Sequence, residues 1–204
     1  PTGAVLLVDD DDNAPDVRGA YEAAFAALGV SYDVFDTGNS DAEPSAATLD
    51  DYAMVVWFSG GESGGFAGPG AAGESALDSW LAGGGCLMLS SQDYLADHGL
   101  TPFAGAVLGV ASFLNDQAQT TVIGAGDPYT GVGSRALLYP FANQSDRLDP
   151  VAGADAAFFG NAGPAAVAFY NVSYSTVFLG YPFEALPQAA DRVAVLGRTL
   201  DYCA

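Results

Sequence analysis

The chain has 204 residues, half of them hydrophobic, and a formal charge of −20 at pH 7. Its five basic residues are all arginines (Arg18, Arg135, Arg147, Arg192 and Arg198), which excludes a nucleic-acid partner, because phosphate binding needs a basic face, and disfavours anionic membrane surfaces. No apolar run is long enough to span a bilayer, so no membrane insertion is expected.

The first signal along the chain is Val5-Leu6-Leu7-Val8, a short apolar run that reads as a strand buried on both faces, the mark of a parallel sheet. It runs into Asp9, Asp10, Asp11 and Asp12, at the end where open α/β sheets place their ligands. A helix is predicted over about residues 15–28, with Pro15 in its first turn and Gly29 as its stop; Val17, Tyr21, Phe25 and Leu28 share one face. Strands are predicted at 32–35 and 53–58, separated by a polar loop at 37–48. Residues 60–73 are rich in Gly and Ser and read as a loop over the sheet edge. A helix at 74–81, stopped by Gly83-Gly84-Gly85, leads to a strand at 86–89 and a short helix from Asp93 to Asp97.

This βαβ alternation predicts a three-layer α/β sandwich with a mostly parallel central sheet. Residues 100–164 break the rhythm with many Gly, Pro, Asn and Asp, and read as a β-rich insertion with a few antiparallel strands. Two further strands, at 165–170 and 175–180, could pair, and a final amphipathic helix covers about 187–202. One domain spanning 1–204 is expected, and a chain beginning at Pro1 rather than Met reads as an excised piece of a larger protein.

Three groups of residues carry the candidate chemistry. Asp9, Asp10, Asp11 and Asp12 are the candidate metal ligands, for Ca or Mg, because hard cations take several clustered oxygens. The alternative is a solvated acidic edge. The run Val5–Asp11 looks like the first strand of a response-regulator receiver domain, but that reading fails: the third strand ends in Trp57-Phe58-Ser59-Gly60 without a phosphoacceptor Asp, and there is no lysine. The second group is Ser90 and Ser91, on a strand-to-helix turn where a nucleophile could stand. The glycines of a nucleophile elbow are missing, and the single histidine, His98, is expected to point away, so these serines read better as strand-end and helix-capping residues. Asp93 is expected to help cap the short helix. Among the aromatics, Trp57 and Trp80 are expected in the core, with Tyr129 and Tyr174 as surface candidates.

The third group is the late turn Leu179-Gly180-Tyr181-Pro182-Phe183-Glu184. Together with the first strand, the Trp57-Phe58-Ser59-Gly60-Gly61 strand end and the Cys86–Asp93 turn, it resembles the class I glutamine amidotransferase-like superfamily. That resemblance implies a flavodoxin-like sandwich, a nucleophile at Ser90 or Ser91 in place of the family's cysteine, and Glu184 as the acid of the triad. It also implies a degenerate site, since Tyr181 and Phe183 stand where a histidine belongs. Look-alike domains are appended to secreted bacterial peptidases and other large surface proteins. The resulting expectation is a non-catalytic accessory or binding domain, extracellular or on a cell surface, whose partners are neighbouring domains of its parent. The alternatives are a serine-dependent hydrolase or amidotransferase using Ser90 or Ser91, and a cation-dependent binding module.

Cys86 and Cys203 complete the list of expectations. Parallel strands start at one end of a sheet, and a helix following such a strand returns to that end. Cys86 at a strand start and Cys203 on the last helix therefore fall in the same layer. A disulfide between them is conceivable in a secreted setting, against the alternative of two separately buried thiols.

Overall fold

The computed structural model describes residues 4–40 and 42–204. Four strands are buried along their whole length: β1 (Val5–Asp9), β3 (Met54–Phe58), β4 (Cys86–Ser90) and β11 (Ser175–Leu179). A strand with both faces buried needs a layer of helices on each side, and alternate residues here divide between two cores. Leu7, Val56, Met88 and Val177 pack with α1 (Arg18–Leu28) and α6 (Ala189–Tyr202), through Tyr21, Phe25, Val195 and Leu196. Leu6, Val55, Trp57, Leu87 and Phe178 pack against α3 (Ala71–Leu81), α4 (Tyr94–His98) and α5 (Pro102–Ala106). The protein is thus an α/β three-layer sandwich.

Among the described residues the main sheet has nine strands, in the order β2-β1-β3-β4-β11-β10-β9-β6-β7. The first five, including β2 (Tyr32–Asp36), run parallel, as the apolar runs predict. Then come β10 (Gly163–Tyr170), β9 (Asp155–Gly160), β6 (Thr121–Gly124) and β7 (Arg135–Ala136), all antiparallel. The insertion around 100–164 is therefore not a separate appendage: three of its strands extend the main sheet. Only β5 (Val110–Leu114) and β8 (Arg147–Pro150) pair apart from it.

Element boundaries differ from the sequence pattern where a distant side chain sets them. The α1 helix starts at Arg18 rather than near Pro15, because the Asp11 carboxylate accepts from the backbone N–H groups of Asn13 and Val17 and holds residues 11–16 as a turn. The α3 helix starts three residues before the expected Glu74, because Glu43 accepts from the N–H groups of Gly70 and Gly73 at 2.6 and 2.7 Å. Those are first-turn donors with no partner inside the helix. Gly73 has no room for more: a Cβ there would lie 2.5 Å from the Glu43 carboxylate. The loop at 37–48 contains a short helix, α2 (Ala46–Leu49), capped by Ser45. Trp57 and Trp80 are core residues, but so is Tyr129, expected at the surface; its hydroxyl bonds with Thr199 on α6 at 2.6 Å.

Cys86 at the start of β4 and Cys203 at the end of α6 are joined by a disulfide, with Cα atoms 5.5 Å apart and a sequence separation of 117. It ties the last helix to the central strand. Replacing both cysteines by serine should lower the unfolding free energy by about 4–5 kcal/mol if the bond acts by restricting the unfolded chain. Urea unfolding of the variant measures this; a loss below about 1 kcal/mol would mean that packing of α6 alone fixes the C-terminus.

Candidate functional site

The carboxyl ends of β1, β3, β4 and β11 form one polar edge. The strand order reverses between β1 and β3, the place where open α/β sheets form their crevice. Four strand-end groups meet there: the acidic block, Ser59, the Ser90–Ser91 turn, and the Tyr181–Glu184 turn.

Three carboxylates of the acidic block have separate tasks. Asp9 pairs with Arg18 at 2.7 Å, and Arg18 also reaches Asp36 and Glu22. Burial, with Asp11 nearby, pushes the Asp9 carboxyl up to about 6 against the pull of Arg18. Asp10 accepts from the Trp57 indole N–H at 2.9 Å, and burial pushes it up to about 8. Asp11 spends both oxygens on the turn before α1. Gly60, with φ +54°, lets β3's loop come so near that a Cβ would sit 2.7 Å from the Asp11 Cβ. Asp12 lies in the same turn with φ 50°. Among the described residues no group of three or more His, Cys, Asp or Glu is arranged to hold a metal.

Ser90 and Ser91 diverge although adjacent. Each is 1% exposed. Ser91 Oγ accepts from the Ser59 hydroxyl at 2.7 Å and from the Tyr94 N–H at 3.1 Å, so it caps α4. Asp93, expected to share that task, makes no side-chain cap; the preceding serine already holds the available donor. Ser90 Oγ accepts from the Phe183 N–H at 2.8 Å and lies 3.1 Å from the Tyr21 hydroxyl. That hydroxyl donates in turn to Glu184 Oε2 at 2.8 Å. The structure thus links Ser90, Tyr21 and Glu184 in a buried chain. Sequence pattern missed Tyr21's part, because its helical spacing marked it only as a core residue.

The middle member decides what this chain can do. A base that takes a serine proton must have a pKa near the working pH. Burial and the adjacent Glu184 push the Tyr21 phenol well above its ordinary value, so it remains a donor at neutral pH. Burial also pushes Glu184 up to about 7, and its Oε1 is sealed without a hydrogen bond. Tyr181 and Phe183 in the later turn are both fully buried; Phe183 packs on Tyr21, with ring centroids 4.7 Å apart. Neither Ser90 nor Ser91 has the positive φ of a strained turn.

His98 ends α4 and makes no hydrogen bond to either serine. It borders a cleft of about 390 Å³ with Asp10, Glu43 and Phe66. The Asp97 carboxylate pins the cleft's glycine-rich wall, accepting from the N–H groups of Gly64, Phe66 and Ala67. Cys86 lies at the other end of β4 from this edge, inside the disulfide.

No protein-family model matches the chain, and no curated protein sequence matches it. Solved structures do match, at identities that speak for the fold alone. A ThuA-like protein from Bacteroides uniformis aligns over all of this chain and 91% of its own, with 10% identity and a TM-score of 0.61. A glutamine amidotransferase from Thermotoga maritima aligns over 98% of this chain and 84% of its own, with 16% identity and a TM-score of 0.53. An exo-β-1,4-mannosidase from an Opitutaceae bacterium aligns over 98% of this chain, with 16% identity and a TM-score of 0.56; the chain spans 35% of that enzyme's length. The sandwich is therefore a class I glutamine amidotransferase-like fold.

Buried acids with raised pKa values bind protons more readily in the folded than in the unfolded state. Their stabilising effect is complete below the ordinary carboxylate range and is lost as pH rises through the folded values. For Asp9, Glu184 and Asp10 those values are about 6, 7 and 8. The melting temperature should therefore be higher at pH 5 than at pH 8.5 at fixed ionic strength, and Glu184→Gln should flatten part of that slope. A melting temperature that rises steadily over this range would contradict the assignment.

Proposed function

We propose that this chain is a non-catalytic accessory domain of a larger secreted or cell-surface protein, a hydrolase such as a peptidase, and that it works by packing against neighbouring domains. The observation that carries this reading is the engagement of Ser90. Its hydroxyl is buried, accepts from the Phe183 N–H and leads to a phenol rather than an imidazole. A serine in that state lacks both access and a base. Ser91 is equally committed, to Ser59 and to the α4 cap.

Two further observations support the setting. The Cys86–Cys203 disulfide suits an oxidising compartment. The longer structural neighbours include the mannosidase above, in which a fold like this one makes up about a third of the polypeptide. Among the described residues no helix is long and apolar enough to cross a membrane.

The alternative, a serine-dependent enzyme, is tested by incubating the folded protein with a fluorophosphonate probe and weighing it by mass spectrometry. The expected result is no adduct at Ser90 or Ser91. A stoichiometric adduct that disappears in Ser90→Ala or Ser91→Ala would overturn the proposal.

A further inference from the structure

The chain holds two Asn-x-Ser triplets without proline in the middle, Asn143-Gln144-Ser145 and Asn171-Val172-Ser173. That pattern is the acceptor for N-linked glycosylation of secreted proteins, although so short a motif also arises by chance. The structure separates the two by what it does with the carboxamide, whose Nδ2 must be available to receive a sugar.

Asn143 is tied inward. Its Nδ2 donates to Gln119 O at 3.0 Å, and its Oδ1 accepts from the Ser145 N–H at 3.2 Å and from the Ser145 hydroxyl at 2.6 Å. The Ser145 hydroxyl in turn accepts from the Gln119 N–H at 2.8 Å. Ser145 and Gln119 are both fully buried. A sugar on this Nδ2 would break the bond to Gln119 and pull the triplet away from the segment it is tied to.

Asn171 stands at the tip of the hairpin that joins β10 to β11, just past the pairing of Tyr170 with Ser175. Its N–H donates to Tyr174 O at 3.0 Å and closes the turn. Its Oδ1 accepts from the N–H groups of Ser173 and Tyr174 at 2.7 and 3.0 Å, an Asx turn that fixes the carboxamide over the backbone of Ser173. The side chain borders the Tyr174 hydroxyl, and among the described residues no carbonyl holds Nδ2 as Gln119 holds that of Asn143. Ser173 is exposed, and the residues on either side of Asn171, Tyr170 and Val172, are 65% and 98% exposed. Exposed loop tips of this kind accept bulky additions.

We propose that Asn171 is an N-glycosylation acceptor and that Asn143 is not, an inference that rests on the secreted or cell-surface setting proposed above. In the transfer, Asn171 Nδ2 bonds to the anomeric carbon of a lipid-linked oligosaccharide. The bond from that carbon to the lipid's phosphate breaks, the phosphate leaves with the lipid, and the displaced Nδ2 proton passes to a base of the transferase. The Ser173 hydroxyl, two residues on, is the group that the transferase reads. The glycan would cover the bare side chains of Tyr170 and Val172. Ser175 pairs with Cys86, so the tip lies at the amino end of β4, near the disulfide and at the opposite end from the polar edge. A glycan there makes that end a solvent-facing surface of the parent protein and leaves the polar edge clear for neighbouring domains.

The test is to direct the chain, with Asn171→Gln and Asn143→Gln variants, into the secretory pathway of a glycosylating yeast. Intact mass is measured before and after peptide-N-glycosidase, with thiol titration beside it, on both the secreted and the cell-retained protein. The expected result is one N-glycan per chain on most molecules, lost in Asn171→Gln and kept in Asn143→Gln. A disulfide-bonded chain that carries no glycan would overturn the proposal, as would a glycan that persists in Asn171→Gln and is lost in Asn143→Gln. Because the glycan is read on both fractions, failure of the chain to leave the cell or to form its disulfide counts against the secreted setting, while the acceptor assignment is still decided.

Discussion

Taking a carboxyl group out of water without a cation beside it is the constraint on which the polar edge of this protein depends. The chain has 25 acidic side chains and five arginines. Its parallel strands are buried on both faces, so groups at their carboxyl ends are drawn inside with them. The protein meets the constraint in different ways. Arg18 neutralises Asp9, backbone N–H groups satisfy Asp11 and Glu43, an indole serves Asp10, and a phenol serves Glu184. Where hydrogen bonds are too few, the acid retains its proton to higher pH, as Asp10 and Glu184 do.

The same burial closes off the turn after β4, where Ser90 and Ser91 are each 1% exposed. A catalytic serine needs an exposed hydroxyl, a base of matched pKa and donors for an oxyanion. Here the one N–H aimed at Ser90 Oγ, from Phe183, stabilises the ground-state hydroxyl itself. Tyr21 fills the space between serine and acid, and stacks on Phe58 with centroids 4.3 Å apart. The chain of Ser90, Tyr21 and Glu184 is part of the core beneath α1. Its polar atoms tie α1, β4 and the 181–184 turn together, which is a structural task.

Much of the fold was legible because fully buried parallel strands announce themselves as unbroken apolar runs. Val5–Val8, Met54–Phe58 and the Cys86 strand each gave their position and direction, and the alternation with helices gave the layers. The failures share one cause. The start of α3 depends on Glu43, some thirty residues away, and the turn before α1 depends on how the Asp11 carboxylate folds back on its own backbone. Tyr129 reads as a loop residue by its neighbours, yet stacks on Phe158 in the core. At the site, pattern found Ser90, Ser91 and Glu184, but not the phenol that connects Ser90 with Glu184. The late segment of the insertion is tied to the turn after β4 by the Gln92 side chain, which bonds Ala142 O and the Gln144 N–H.

The most direct test of this account is amide hydrogen exchange at Phe183. If Ser90 is a locked structural group, the Phe183 N–H, which donates to its hydroxyl, should exchange only through global unfolding, with protection matching that of the β4 amides. Fast exchange at Phe183, with β4 still protected, would show an open turn and a free Ser90 hydroxyl, and would contradict the reading of this edge as part of the core.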